Sequence, residues 1–350
     1  MSLATKELVL RSHFELKTAI LKWFPRHMNR GMREMMQTLR KVDCLVEVHD
    51  SRIPFDWMRE MMQTLRKVDC LVEVHDSRIP LSGRNKDLIR RLSSLKPHIL
   101  ILNKSDLMDI RYQRRIKERF QSEDSNSRCI FVDSLNPNTR VNGFPEILPT
   151  IIEVIRDSDR FNREDFNGFN LMVMGIPNVG KSTIINKLRN TNLRVSGKAT
   201  TTGAIAGVTR SVLERIKINA NPPVYLYDTP GVLEPRIDKG LETIMRCAVC
   251  ATLSDQLIGY KTIADYILYW LNRHNNHRYV KLLGLDTPSD DITEVLVKGS
   301  VYLQNIVEHK SLEKGQMVKR PDVEHTAQQF VTAFRKGQLG RVMLDDDLFK

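Results

Sequence analysis

Eight residues, Gly175-Ile-Pro-Asn-Val-Gly-Lys181-Ser182, follow the spacing G-x-x-x-x-G-K-S. Two glycines remove the Cβ atoms that would hold a backbone away from an anion. Successive N–H groups and the positive end of a following helix then face a phosphate. In that arrangement Lys181 reaches the β- and γ-phosphates of a nucleotide and the Ser182 hydroxyl binds Mg²⁺. Asn178, Val179, Gly180 and Thr183 complete the expected cradle.

A second cluster lies upstream. Asn103-Lys104-Ser105-Asp106 reads N-K-x-D at the end of an apolar run. The Asp106 carboxylate can accept two hydrogen bonds, from guanine N1–H and the exocyclic amine, a donor pair adenine lacks. Asn103 would brace this site, the Lys104 stem would cover a base face, and Ser134 is placed to contact the base. Downstream, Asp228-Thr229-Pro230-Gly231 reads D-x-x-G. It offers a second-shell carboxylate for Mg²⁺ and a glycine amide for the γ-phosphate. Thr209 is the candidate switch threonine for Mg²⁺, with Thr200, Thr201 and Thr202 as competitors. Together these motifs expect GTP and GDP as ligands and GTP hydrolysis as the reaction. The next residue, Val232, cannot orient water as the glutamine of Ras-like enzymes does.

The elements that must position these groups follow from patterning. Leu171–Met174 reads as a buried strand and Thr183–Arg189 as a helix, the setting the phosphate loop requires. Pro97–Leu102, Cys129–Ser134, Ser211–Ile218 and Val224–Tyr227 read as further strands, and Lys86–Leu95, Ile110–Phe120 and Ile147–Ile155 as helices. Beyond about residue 234 the pattern expects helices over Ala248–Leu257, Thr262–Leu271, Asp290–Lys298, Val301–Val307 and His325–Arg335. Cys247-Ala-Val-Cys250, a lone C-x-x-C, reads as core packing in preference to zinc.

Base recognition precedes the phosphate loop, which precedes D-x-x-G. In a Ras-like domain the phosphate loop comes first. The same sheet can be wound from a rotated chain whose original ends lie close together. The expected fold class is therefore α/β, a circularly permuted Ras-like P-loop GTPase domain over residues 23–234, followed by a small all-α domain over 235–350. Such a domain could receive γ-phosphate-dependent movement of Gly231 through a short covalent link.

Residues 32–54, MREMMQTLRKVDCLVEVHDSRIP, recur unchanged at 58–80. Perfect identity points to a recent duplication or a gene-model error, not to a repeat architecture. Each copy reads as a short helix-like unit followed by a strand, Val-Asp-Cys-Leu-Val-Glu-Val, and one sheet has one slot for that strand. The second copy is expected to fill it, because Leu81 continues directly into the next elements; the first copy is then spare.

The chain has 350 residues, a formal charge of +12 and five cysteines. Length fits about two domains, and no apolar run reaches the ~18 residues needed to span a bilayer. The cysteines do not form a disulfide framework. Positive charge is concentrated upstream of residue 235 and suggests a polyanionic partner such as RNA. Lys6, Arg11, Lys17 and Lys22 among apolar residues would suit an organelle-targeting segment over 1–22, while Glu7 and Glu15 run against one.

The permuted order, GIPNVGKS, DTPGV and Trp23-Phe-Pro-Arg26-His27-Met28 resemble the YlqF/RbgA family of circularly permuted ribosome-assembly GTPases, the mitochondrial members most of all. ADYILYWLN and FRKGQLGRVMLD extend the likeness over about residues 23–345. The resemblance implies GTP hydrolysis coupled to maturation of the mitochondrial large ribosomal subunit, with the C-terminal domain contacting its rRNA. It implies a matrix location, peripheral association with the inner membrane at most, and a monomer. It further implies that Asn178 binds a stimulating K⁺, that Val232 is the hydrophobic replacement of the glutamine, and that His27 positions water. Arg26 stands where the family has glycine and Ala206 departs from P-G-x-T. Two other readings are a GTP-gated RNA-binding scaffold with negligible hydrolysis, and a cytosolic or nucleolar assembly GTPase.

Overall fold

The computed structural model describes residues 10–15, 67–123, 128–136, 142–160, 166–197, 215–228, 240–310 and 317–349. Two compact units emerge. One comprises Met1–Ser12 and Val68–Lys350; the other, His13–Lys67, has only residues 13–15 and 67 among those described.

The first unit is built on a six-stranded sheet: β1 Cys70–Asp76, β2 His98–Asn103, β3 Arg128–Val132, β4 Phe169–Met174, β5 Arg215–Asn219 and β6 Val224–Asp228. Their spatial order is β3-β2-β1-β4-β6-β5. All neighbours are parallel except β5, which lies antiparallel on the edge against β6. Every residue of β1, β2 and β4 is buried. Strands covered on both faces read as largely apolar runs, as β2 and β4 do, whereas β1 also buries Glu73, His75 and Asp76. The helices α1 Lys86–Ser93, α2 Gln113–Glu123, α3 Ile147–Arg156 and α4 Lys181–Leu193 connect them. The expected Ile110–Phe120 helix is instead a short turn at Ile110–Tyr112 followed by α2.

Strand β1 comes from the second copy of the duplicated segment and fills the central slot between β2 and β4. The first copy lies outside the described residues.

The chain then forms α5 Leu241–Val249, α6 Tyr260–Arg273, α7 Ile292–Tyr302 and α8 Val323–Arg335, with single helical turns at Asp255–Ile258 and Arg278–Leu282. Asp291 caps α7 by accepting from Thr293 N and Glu294 N, and Asp322 caps α8 through His325 N. Two expectations are corrected. The Ala248–Leu257 helix is broken, because α5 ends at Val249 and Ala251 takes a left-handed φ of 60°. The Val301–Val307 helix is also replaced: α7 stops at Tyr302, and Ile306–Lys310 pairs antiparallel with Met317–Pro321 as the hairpin β7–β8. Over so short a stretch the apolar residues of Val301–Val307 fit a strand as well as a helix. The helical region shares one compact unit with the sheet.

Arg11 joins this unit as well. Its guanidinium forks onto Asp290, at 2.9 and 3.2 Å, and lies 2.9 Å from Asp265. Among the described residues no helix is long and apolar enough to cross a membrane.

Candidate functional site

Parallel strands deliver their loops to one edge, outside their carboxyl ends. There the loop Gly175–Gly180 leaves β4 and feeds α4. Gly180 has φ 99°, and a Cβ on it would collide with the Asn103 side-chain amide. A Cβ on Gly175 would collide with the Val74 carbonyl. These glycines exist because neighbouring backbone and side chains come in too close for any other residue. The loop therefore keeps its amides at the start of a thirteen-residue helix, with Lys181 and Ser182 in the first turn.

The two sequence motifs meet directly. Asn103 donates from Nδ2 to the Val179 carbonyl at 2.8 Å, and its Oδ1 accepts from Ser134 N at 3.1 Å. Ser134 thus reaches the site through its backbone. Lys104 adopts a left-handed conformation (φ 58°, ψ 38°) that costs a non-glycine residue roughly 1 kcal/mol or more. It is held there by its ammonium, which donates to the Asn178 carbonyl at 2.9 Å and pairs with Asp76 at 3.0 Å. Asp106 follows in the single turn Ser105–Leu107. Burial, with the nearby Asp133, pushes its carboxyl above the usual aspartate range. Lys181 donates to the Gly175 and Ile176 carbonyls at 2.8 and 3.0 Å.

Register places the backbone of Asp228, at the end of β6, beside Val173 of β4 and so next to the phosphate loop. A serine hydroxyl and a carboxylate are suitable donors for a hard cation such as Mg²⁺. Thr183 continues the first turn of α4. His27, Thr209, Gly231 and Val232 lie outside the described residues, as do Arg26 and Ala206.

Several residues at this edge were not singled out by the sequence. Asp76 is fully buried and takes a two-pronged ion pair from Arg78, at 3.0 and 2.8 Å, besides Lys104. Burial alone would raise the Asp76 carboxyl, but Arg78 and Lys104 outweigh it and hold it well below its usual range. An apolar strand ending in His-Asp-Ser-Arg is the signal that could have found the pair. Asp133 and Asn142 fix the loop after β3: Asp133 accepts from Leu135 N and Asn136 N, and Asn142 Oδ1 accepts from Asp133 N.

Asn178 itself turns toward the helical region. Its Nδ2 donates to the Ala251 carbonyl at 2.7 Å, just after α5. Cys247 and Cys250 are buried in that segment, and burial pushes both thiols up to about 12. The C-x-x-C is core packing, with Cys247 and Cys250 each 1% exposed.

Residues 170–284 match the family model described as "50S ribosome-binding GTPase". "Mitochondrial GTPase 1" of Aedes aegypti is 43% identical over 330 residues, covering 94% of this chain and 95% of that one. The chain belongs to the mitochondrial GTPase 1 family. "Mitochondrial ribosome-associated GTPase 1" of Bos taurus is 39% identical, covering 95% of this chain and 90% of the relative. "Ribosome biogenesis GTPase A" of Bacillus pumilus is 28% identical, with 79% and 83% covered. GNP-bound YlqF from T. maritima superposes with a TM-score of 0.50 at 21% identity over 83% of this chain and 97% of that one, which supports the fold. This member of the mitochondrial GTPase 1 family is a GTPase, and a guanine nucleotide with Mg²⁺ is its ligand set.

Proposed function

We propose that the chain is a GTP-hydrolysing assembly factor of the mitochondrial large ribosomal subunit, working in the matrix as a monomer and contacting rRNA. The observation that carries the nucleotide half is the direct bond from Asn103 of the base motif to Val179 of the phosphate loop. It supports the reading of the N-K-x-D motif and the phosphate loop as parts of one nucleotide site. The ribosomal half rests on relatives named for ribosome association and on the 50S ribosome-binding description of the matching family. The basic charge upstream of residue 235 supports an RNA partner. Any contact with the inner membrane would be peripheral.

Lys181 would neutralise the β- and γ-phosphates, and the loop amides and α4 would hold them. Ser182, with Asp228 and Thr209, would hold Mg²⁺, which supplies electrostatic stabilisation of the transferring phosphoryl group. Gly231 would contact the γ-phosphate and His27 would position water in place of a glutamine, since Val232 cannot. The Oδ1 of Asn178 would hold K⁺ while its Nδ2 stays on Ala251.

GTP turnover measured with and without purified mitochondrial large subunits, in potassium and in sodium buffer, tests this reading. Stimulation by the subunit supports it. Tight binding of GTP that stays intact in every condition would replace it with a GTP-gated RNA-binding scaffold.

A further inference from the structure

The segment after α8 runs back over the sheet and ends against the base-recognition loop. Val342 N donates to the Leu107 carbonyl at 2.9 Å, one residue beyond Asp106, and a parallel bridge joins Val342 to Met108. Two residues later Leu344 N donates to the Arg78 carbonyl at 3.0 Å. Arg78 forks onto Asp76, and Asp76 holds the ammonium of Lys104. The strap therefore touches the base loop at both ends, directly at Leu107 and through Arg78–Asp76 at Lys104.

Asp345 locks the strap in place. It is fully buried and accepts from Leu81 N at 2.7 Å, from Ser82 N at 2.9 Å and from the Ser82 hydroxyl, with Arg246 of α5 at 3.3 Å. Met343 packs in one apolar cluster with Leu81, Leu102 and Met108, which spans the sheet and the strap. A buried carboxylate with four donors is costly to move. Such anchoring at one spot fixes the backbone on either side of it.

We propose that the strap Val342–Asp345, anchored by Asp345, is a positioning element for guanine recognition: it holds the Lys104–Leu107 loop so that the Asp106 carboxylate meets the base. The inference rests on the reading of Asp106 as the guanine acceptor. It makes the C-terminal region part of nucleotide selectivity, with a second path into the site besides the covalent link after Gly231.

The test compares GDP with IDP, which keeps N1–H but lacks the exocyclic amine. Equilibrium affinities are measured on the full chain. The unmodified protein should prefer GDP by about tenfold, the worth of one charge-assisted hydrogen bond. Asp345→Asn should weaken GDP and narrow that ratio toward one. Ser82→Ala, a milder change at the same anchor, should move it the same way by less and covers the case in which Asp345→Asn does not fold. Tyr279→Phe is the control: its hydroxyl bonds to Asn272 and Ser289 within the helical region, and the ratio should stay at the unmodified value. A GDP:IDP ratio unchanged in the anchor variants, or affinities for both nucleotides falling equally, would overturn the strap's role. No preference for GDP in the unmodified protein would instead overturn the guanine reading of Asp106, and the strap's role with it.

Discussion

Strand β1 carries two fully buried carboxylates three residues apart, Glu73 and Asp76. Alternation along a strand sends them to opposite faces of the sheet. Each is gripped by an arginine fork: Arg84 on Glu73 at 2.8 and 2.7 Å, Arg78 on Asp76 at 3.0 and 2.8 Å. Both carboxyls are held below their usual range, because their cationic partners outweigh the burial that would raise them. Their third partners differ. Glu73 closes onto His98 at the start of β2, and Arg84 stacks over Phe120. Asp76 opens onto Lys104, which reaches the phosphate loop at Asn178. Burial and charge are alike, so position along the strand decides the role: one pair cements the interior and the other sits at the carboxyl end, where ligands bind.

The comparison can be broken by mutation. On the proposed role of Asp106, Asp106→Asn should reduce the preference for GTP over ATP by about a hundredfold or more, since it would remove an acceptor of two charge-assisted bonds. Competition binding measures it. Glu73→Ala should cost about 3–5 kcal/mol of stability, because it leaves Arg84 buried without its carboxylate. Denaturant unfolding measures that loss, and guanine preference should remain.

Acid should act on both folding and binding. The depressed carboxyls of Glu73 and Asp76 contribute stability that is present above their ordinary values of 4.5 and 3.8 and is lost as pH falls toward their folded values. Asp106 is shifted the other way, so it takes up its proton at a pH above 3.8. A neutral acid cannot accept both guanine donors. On the proposed role of Asp106, GDP affinity should therefore weaken as the pH is lowered, which binding assays across an acid series measure. The smallest effect is expected for Asn178→Ala, about 1 kcal/mol of stability from the lost bond to Ala251, read as a shift in the denaturant midpoint.

Much of this edge was legible because its motifs are contiguous. Gly175–Ser182 and Asn103–Asp106 each state their chemistry in a short run, and their order alone revealed the permutation. The slot of β1 was legible because Leu81 follows the second copy without a gap. What tied the motifs together was not. Asp76 reaches Lys104 at the end of the neighbouring strand β2, and Asp345 reaches Leu81 across 264 residues. The Asp-Ser-Arg run could have signalled the Arg78 fork, but nothing in the sequence marks Lys104 as a partner of Asp76 or Leu81 as a partner of Asp345. The break at Ala251 was hidden for a related reason: apolar spacing carries through Val249 and Cys250, while the left-handed turn serves the carbonyl that Asn178 binds.

The most direct test pairs two isosteric changes on one strand, with GDP binding and thermal midpoint measured on each. Asp76→Asn should weaken GDP by about tenfold through loss of the Lys104 contact, whereas Glu73→Gln should lower the midpoint and leave GDP affinity unchanged. Equal loss of GDP affinity in both variants, or none in Asp76→Asn, would contradict the division of β1 into a structural and a nucleotide-positioning half.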